Sequence, residues 1–362
     1  QNGDFSQIGS EEVTNGNFSQ EGSELVTNGD FATDSDWAKG TGWSISDGKA
    51  IANTTGNFVN LYQNSVFVVG KTYKTTFTIV DYTQGKVRLT QGGIDISGFQ
   101  NAVGTYTTYF TATQTALYMQ GYESFIGSID NVSVKEVGQD WTLGTGISIG
   151  DDEAIFTSVA SGQQLAQLSL LGVIGKTYKI SYEIKSRTEG AFSASIGTTL
   201  SANQNSGVGV YTEYLTATGT GAFYIRSRGT TSGSITNISV KEVGQNWTLG
   251  SGWSIGSSEL IATSMSNQFV TQPFNFTVGK KYRASFSVTG TSSLPNNASL
   301  RLPYDGDISN IAYVNQNSDG VYSHEFVSAG TLNTLYLGYG SFTGTITNIS
   351  VIEITDDTNL PR

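Results

Sequence analysis

Cysteine is absent from this 362-residue chain, and histidine occurs once, at His324. The first absence excludes disulfides, zinc–thiolate sites, iron–sulfur clusters and thiol nucleophiles. A single histidine excludes a multi-histidine metal centre within one chain. Charge is scarce as well: Asp, Glu, Lys and Arg supply 14% of the residues, against about a quarter in ordinary soluble domains. The net charge of −11 leaves no basic stripe to displace counterions, so no nucleic-acid partner is expected. No run of 18 apolar residues occurs, so no membrane insertion is expected. The chain opens on Gln1 in a polar stretch with no secretory leader, which reads as a processed or trimmed form.

Glycine, by contrast, occurs 44 times, and Tyr and Phe 18 times each. That aromatic content is too high for a disordered chain, and the length exceeds what one core usually serves. Self-similarity is the strongest signal. GKTYK at Gly70–Lys74 returns at Gly175–Lys179 and, as GKKYR, at Gly279–Arg283. Trp37, Trp141 and Trp247 each precede a Gly-rich turn. GTYTTYFTA from Gly104 returns as GVYTEYLTA from Gly209 and GVYSHEFVS from Gly320. IDNVSVKEV from Ile129 returns as ITNISVKEV from Ile235 and ITNISVIEI from Ile346. Four markers recurring in one order define three modules, at 26–138, 139–244 and 245–354, with a C-terminal tail at 355–362.

A second, 13-residue period fills residues 1–25. The copies begin at Asn2, Asn15 and Asn28, each reading Asn-Gly-x-Phe. The third copy leads into module one, whereas modules two and three have no copy of their own. Inside the modules the period is two: Tyr178, Ile180, Tyr182 and Ile184 alternate with Lys179, Ser181, Glu183 and Lys185. This is the pattern of a half-buried antiparallel strand. No window carries a convincing amphipathic helix. The expected fold is all-β: three tandem antiparallel β-sandwich modules of jelly-roll type, with short N-terminal strand repeats.

ELVTNGDF with the following Trp37, and the closing IDNVSVKEV, resemble the jelly-roll carbohydrate-binding modules attached to xylanases and cellulases. Strings of such modules also resemble parts of phage tail-fibre, head-fibre and other extracellular appendage proteins. The resemblance implies a structural calcium beside the first and last strands of module one, held by an acid just after the opening Asn-Gly-x-Phe and one before the final strand; Ala32 stands at the first place, with Asp30 as its substitute, and Asp130 matches the second. Thr236 and Thr347 replace Asp130 in the other modules, so no such ion is expected there. It also implies sugar binding by exposed rings beside amides and carboxylates. The recurring Trp37, Trp141 and Trp247 are expected in the core. The ligand candidates are Tyr82, Tyr118, Gln120 and Tyr122 in module one, and Tyr304, Tyr313, Tyr336 and Tyr339 in module three; most differ between modules, whereas Tyr118 has counterparts at Tyr224 and Tyr336 and so also has a structural reading. Module two offers Arg226 and Arg228, the pair suited to an acidic sugar.

Enzyme chemistry is not expected. The acidic clusters Asp34/Asp36, Asp151/Asp152/Glu153, Asp305/Asp307 and Asp356/Asp357 lie in turns and do not recur in all modules. Glycoside hydrolysis needs carboxylates on opposite sides of a bond. The leading expectation is a non-enzymatic structural or adhesive protein, extracellular, on a cell surface or on a virion. Its expected partners are its own copies and surface polysaccharide. A filament subunit polymerising by N-terminal strand exchange is the second reading, with Val13 and Phe18 as the assembly-strand candidates. The binding arm of a secreted glycoside hydrolase is the third.

Overall fold

The structure is a computed structural model that describes residues 1–290, 299–302, 312–315, 319–328, 334–338 and 341–355. Among the described residues every regular element is a β-strand, and every ladder between strands is antiparallel. None of them forms a helix long and apolar enough to cross a membrane.

Module one is organised by two long strands, Thr72–Gln91 and Leu117–Val137, which pair along almost their whole length. The ladder shifts register between Tyr122 and Ile126. On one side of that shift the pair is flanked by Trp43–Ser46, Lys49–Asn53 and Gly104–Thr111. On the other it is flanked by Ala38–Lys39, Val59–Gln63 and Ile94–Asp95. Two five-stranded layers therefore share one bent pair of strands and enclose a single core. The core takes Phe77, Ile79 and Ile129 from the first layer and Val87, Leu89, Leu117 and Met119 from the second. Module two repeats the plan around Thr177–Ile196 and Ala222–Val243. Module three keeps it as a five-stranded and a three-stranded sheet, with Ser299–Leu302 pairing Ala312–Asn315.

The period of two is realised as burial. Tyr178, Ile180, Tyr182 and Ile184 are buried while their neighbours face outward. Repeated motifs resolve into repeated contacts. The tyrosine of each GK-x-Y accepts a backbone N–H five residues earlier: Val68 to Tyr73 (2.8 Å), Val173 to Tyr178 (3.0 Å) and Thr277 to Tyr282 (2.9 Å). The motif lysines Lys71, Lys176 and Lys280 pair with Glu136, Glu242 and Glu353 of the closing strands.

Successive modules are in contact. The Tyr109 ring packs on the core of module two, and Tyr214 packs on that of module three. A Cβ built on Gly150 would stand 3.5 Å from the Tyr109 ring. At the matching place in module three the residue is Glu325, which binds Lys281 and Arg283 instead.

Candidate functional site

The N-terminal copies of Asn-Gly-x-Phe form three equivalent docking units, one on each module, in reverse order. Phe31 packs on Trp37 of module one, Phe18 on Trp141 of module two and Phe5 on Trp247 of module three, with ring centroids 5.2–5.4 Å apart. All three phenylalanines are buried. Each indole Nε1 donates to the backbone carbonyl of the asparagine in its copy, at 3.0 Å for Asn28 and Asn15 and 3.1 Å for Asn2.

The local backbone explains the motif. Asn and Phe both hold left-handed φ in every copy, between 50° and 58°; asparagine tolerates this region better than most residues. The Phe N–H closes a turn onto the Asn carbonyl. The Asn side-chain oxygen accepts an N–H five residues on, from Gln7, Gln20 and Thr33. The glycine carbonyl then accepts from the closing strand: Val132 to Gly29, Ile238 to Gly16 and Ile349 to Gly3, at 2.8–2.9 Å. Only glycine allows that approach, because an added Cβ would lie 1.8–2.0 Å from the facing carbonyl oxygen in all three copies.

A buried glutamine completes each unit. Gln63 Nε2 donates to Thr27 O (2.6 Å) and its Oε1 accepts from Thr27 N (3.3 Å). Gln167 does the same with Thr14, at 2.8 and 3.1 Å. Gln272 holds the carbonyl of Gln1 at 2.7 Å and accepts from its amino group at 3.1 Å. The sequence reading missed these glutamines. Their common place in three short strands was the available signal.

Val13 and Phe18 are thus core residues of module two of their own chain, not free for a neighbouring subunit. Modules two and three do begin without an opening strand; residues 1–18 of the same chain supply it. Thirteen extended residues reach about 43 Å, which bounds the spacing between successive docking points.

A second candidate site lies on the outer face of the second layer of module one. Tyr62 and Tyr118 stack at 5.1 Å. Gln120 Oε1 accepts two bonds from Arg88, at 3.0 and 2.7 Å, and its Nε2 donates to Asn60. Tyr122 contacts Phe99 at 4.8 Å and Phe58 at 5.3 Å. The Arg88 guanidinium lies 4.5 Å from the Phe99 ring centroid and also binds Asp95. Phe58 is 55% exposed and Phe99 39%. Three of the sequence candidates, Tyr118, Gln120 and Tyr122, therefore meet in one patch, and Phe58, Phe99, Tyr62, Asn60 and Arg88 join them. Gln120 itself is buried and orients Arg88. In the row of Tyr62 and Tyr118 stands Thr90, whose buried hydroxyl has no partner. Tyr82 stands apart: it packs on Phe125 of the core and donates to Gly85 O.

In module two the corresponding positions carry Tyr224, Arg226 and Arg228. Arg228 is held by Ser193 and by the Ser201 carbonyl. In module three Tyr336 meets Phe269 edge-on at 5.6 Å. Tyr304 and Tyr339 lie outside the described residues, as does the side chain of Tyr313, whose backbone pairs with that of Arg301.

Asp130 occupies a place the other modules fill with a hydroxyl. Thr236 Oγ1 donates to Asp152 O (2.8 Å) and Asn17 O (3.5 Å), and Thr347 Oγ1 donates to Ser258 O (3.2 Å). An ionised aspartate cannot donate there. The turn at Gly48 and the Asp30 carbonyl lie together, a Cβ on Gly48 being 4.0 Å from that oxygen. The Asp130 carboxylate accepts the Asn131 N–H at 2.6 Å; with carbonyls such as that of Asp30 it would offer oxygen donors alone, the kind calcium takes. No cluster of three or more His, Cys, Asp or Glu occurs among the described residues, so backbone oxygens and water would have to complete the shell.

No family model matches the chain, and no curated protein matches it. Among solved structures it is similar to the tandem CBM22-1–CBM22-2 domain of Xyn10C from Paenibacillus barcinonensis, with 10% identity and a TM-score of 0.24. That match covers 60% of this chain and 94% of that one. It is also similar to a triple jelly-roll turret protein of an archaeal virus, with 14% identity and a TM-score of 0.18, over 88% and 89% of the two chains.

Proposed function

We propose that the chain is a non-enzymatic modular structural protein of an extracellular fibre, virion or cell-surface appendage, whose first module binds polysaccharide on its aromatic outer face. The observation that carries this is the patch around Tyr118 and Tyr122. Stacked and exposed rings offer apolar faces to sugar C–H groups. Arg88 and Asn60 supply hydrogen-bonding groups, with Arg88 fixed in place by Gln120 and Asp95. Binding at one such face is weak, and several copies on one particle would act together by avidity. A structural calcium at Asp130, with Asp30 alongside, belongs to the same proposal. The filament reading loses its motivating observation, because the extra N-terminal copies are docked within the chain.

The test is retention of the full chain on a panel of immobilised polysaccharides. Replacing Tyr118 and Tyr122 together by alanine is expected to weaken retention roughly tenfold or more, without lowering the unfolding temperature of modules two and three. Absence of retention of the unmodified chain on every polysaccharide, or retention indifferent to both rings, would overturn the carbohydrate reading.

A further inference from the structure

The outer face of the second layer has one plan in modules one and two but different chemistry. The ladders fix the correspondence. Gln120 pairs with Asn60 and Arg88, as Arg226 pairs with Gln164 and Ser193. Tyr122 pairs with Lys86, as Arg228 pairs with Ala191. Gly162, two residues before Gln164, stands where module one has Phe58 two residues before Asn60. The bridges Val87–Gln100 and Phe192–Asn205 set Gln204 at the place of Phe99. Where module one gathers rings, module two presents two arginines and two amides. Arg226 and Arg228 lie on one side of one strand, about 7 Å apart along it, and both are half-buried. The guanidinium of module one is neutralised, Arg88 pairing with Asp95 at 3.0 Å. Asp95 lies opposite Thr90; the residue in its place, opposite Ser195, is Leu200. The ion pairs of module two are made by Lys176, Lys185 and Lys241, and among the described residues no carboxylate pairs with either arginine. Arg228 is oriented by the Ser193 hydroxyl (3.0 Å) and the Ser201 carbonyl (3.3 Å). Arg226 lies against Gly162, where an added Cβ would stand 3.0 Å from Nη2, and its buried Nε has no partner.

We infer that this face of module two binds an acidic polysaccharide, one whose repeat carries the carboxylates of uronate sugars. The inference rests on the reading of the same face of module one as a sugar site. Charge complementarity defines the ligand: in a chain of net charge −11, two adjacent guanidiniums without an acid are matched by carboxylates, which a guanidinium takes as a charge-assisted, two-pronged pair. Gln164 and the exposed Gln204 offer amides to sugar hydroxyls, and the half-buried Tyr224 ring offers an apolar surface in the same row. A polyanion without hydroxyls meets only the charge. The two modules thereby read different features of a glycan, module one its apolar ring faces and module two its acid groups.

The test uses the full chain carrying Tyr118→Ala and Tyr122→Ala, which disables the module-one face, on immobilised polygalacturonate, alginate and hyaluronan. Retention on at least one is expected, falling as salt is raised and lost when its carboxylates are reduced to alcohols. Adding Arg226→Gln and Arg228→Gln is expected to weaken it about tenfold or more. Gln204→Glu, an isosteric change at an exposed position that sets an acid beside the arginines, is expected to weaken retention without lowering the unfolding temperature; it decides the matter if the double replacement disturbs module two. No retention on any of the three, retention indifferent to these variants, or equal retention on polyglutamate overturns the inference. Failure of the module-one reading shows separately, as absence of ring-dependent retention of the unmodified chain on neutral polysaccharides.

Discussion

Trp247 Nε1 donates to the carbonyl of Asn2 at 3.1 Å, across 245 positions of sequence. The same bond links Trp141 to Asn15 and Trp37 to Asn28. The N-terminal segment therefore runs back along the array, contributing one opening turn to each core. Modules two and three are completed by residues encoded far from them.

Phe18→Ala removes a buried ring from module two and is expected to cost about 3–5 kcal/mol, confined to that module. Trp141 emission should shift to longer wavelength. Gly16→Ala should act through the same event, because its Cβ would stand 2.0 Å from the Ile238 carbonyl oxygen. The double variant is therefore expected to lose little more than the worse single one. Full additivity in thermal unfolding would mean the two residues do not act as one docking unit.

Tyr109→Ala should loosen the junction of modules one and two while leaving module one folded. Hydrogen exchange is expected to rise at Ile147–Gly150, the strand that the ring covers. Unchanged protection there would show the junction to be held by other contacts.

Burial holds the Tyr182 hydroxyl neutral and pushes its pKa up, with Asn205 and Glu213 bonded around it. In the unfolded chain the group titrates near pH 10. Above that pH the folded state retains a proton the unfolded state has lost, so stability falls as pH rises. Module two is expected to lose stability progressively above about pH 10, and Tyr182→Phe should flatten that slope in denaturant titrations. An unchanged slope would assign it to other groups.

Calcium should raise the unfolding temperature of module one alone, in proportion to the logarithm of its concentration once saturating. Asp130→Thr should abolish the effect and install the hydroxyl bridge that Thr236 makes in module two. A calcium response that survives Asp130→Thr would place the ion elsewhere.

The strands, their faces and the threefold plan were legible, because alternation of Tyr178, Ile180 and Tyr182 against Lys179 and Ser181 is itself the burial pattern. The motif Trp-before-glycine was legible as core. Where the first two NG-x-F copies go was left open by the sequence, since a docking partner 126 or 245 positions away leaves no local periodicity. Gln63, Gln167 and Gln272 were missed for a related reason: a buried amide reads as a surface residue until the backbone it binds is known. Of the sugar-face residues, Tyr118 and Tyr122 stood out by type. Phe58 and Phe99 reach the patch from outside its central strand, and so did not.

The most direct test of the reversed docking is hydrogen exchange, read by mass spectrometry, on the full chain and on a chain lacking residues 1–13. The structure requires that protection fall in module three, at Trp247 and along Ser341–Ile354, where Phe5 and Gly3 were lost. Module one, whose Glu24 and Phe31 remain, should be unchanged, and module two should lose the edge contacts of Ile8–Glu12 and the buried Val13 side chain while keeping Phe18 on Trp141. Loss of protection centred on module one, or none in module three, would contradict the account.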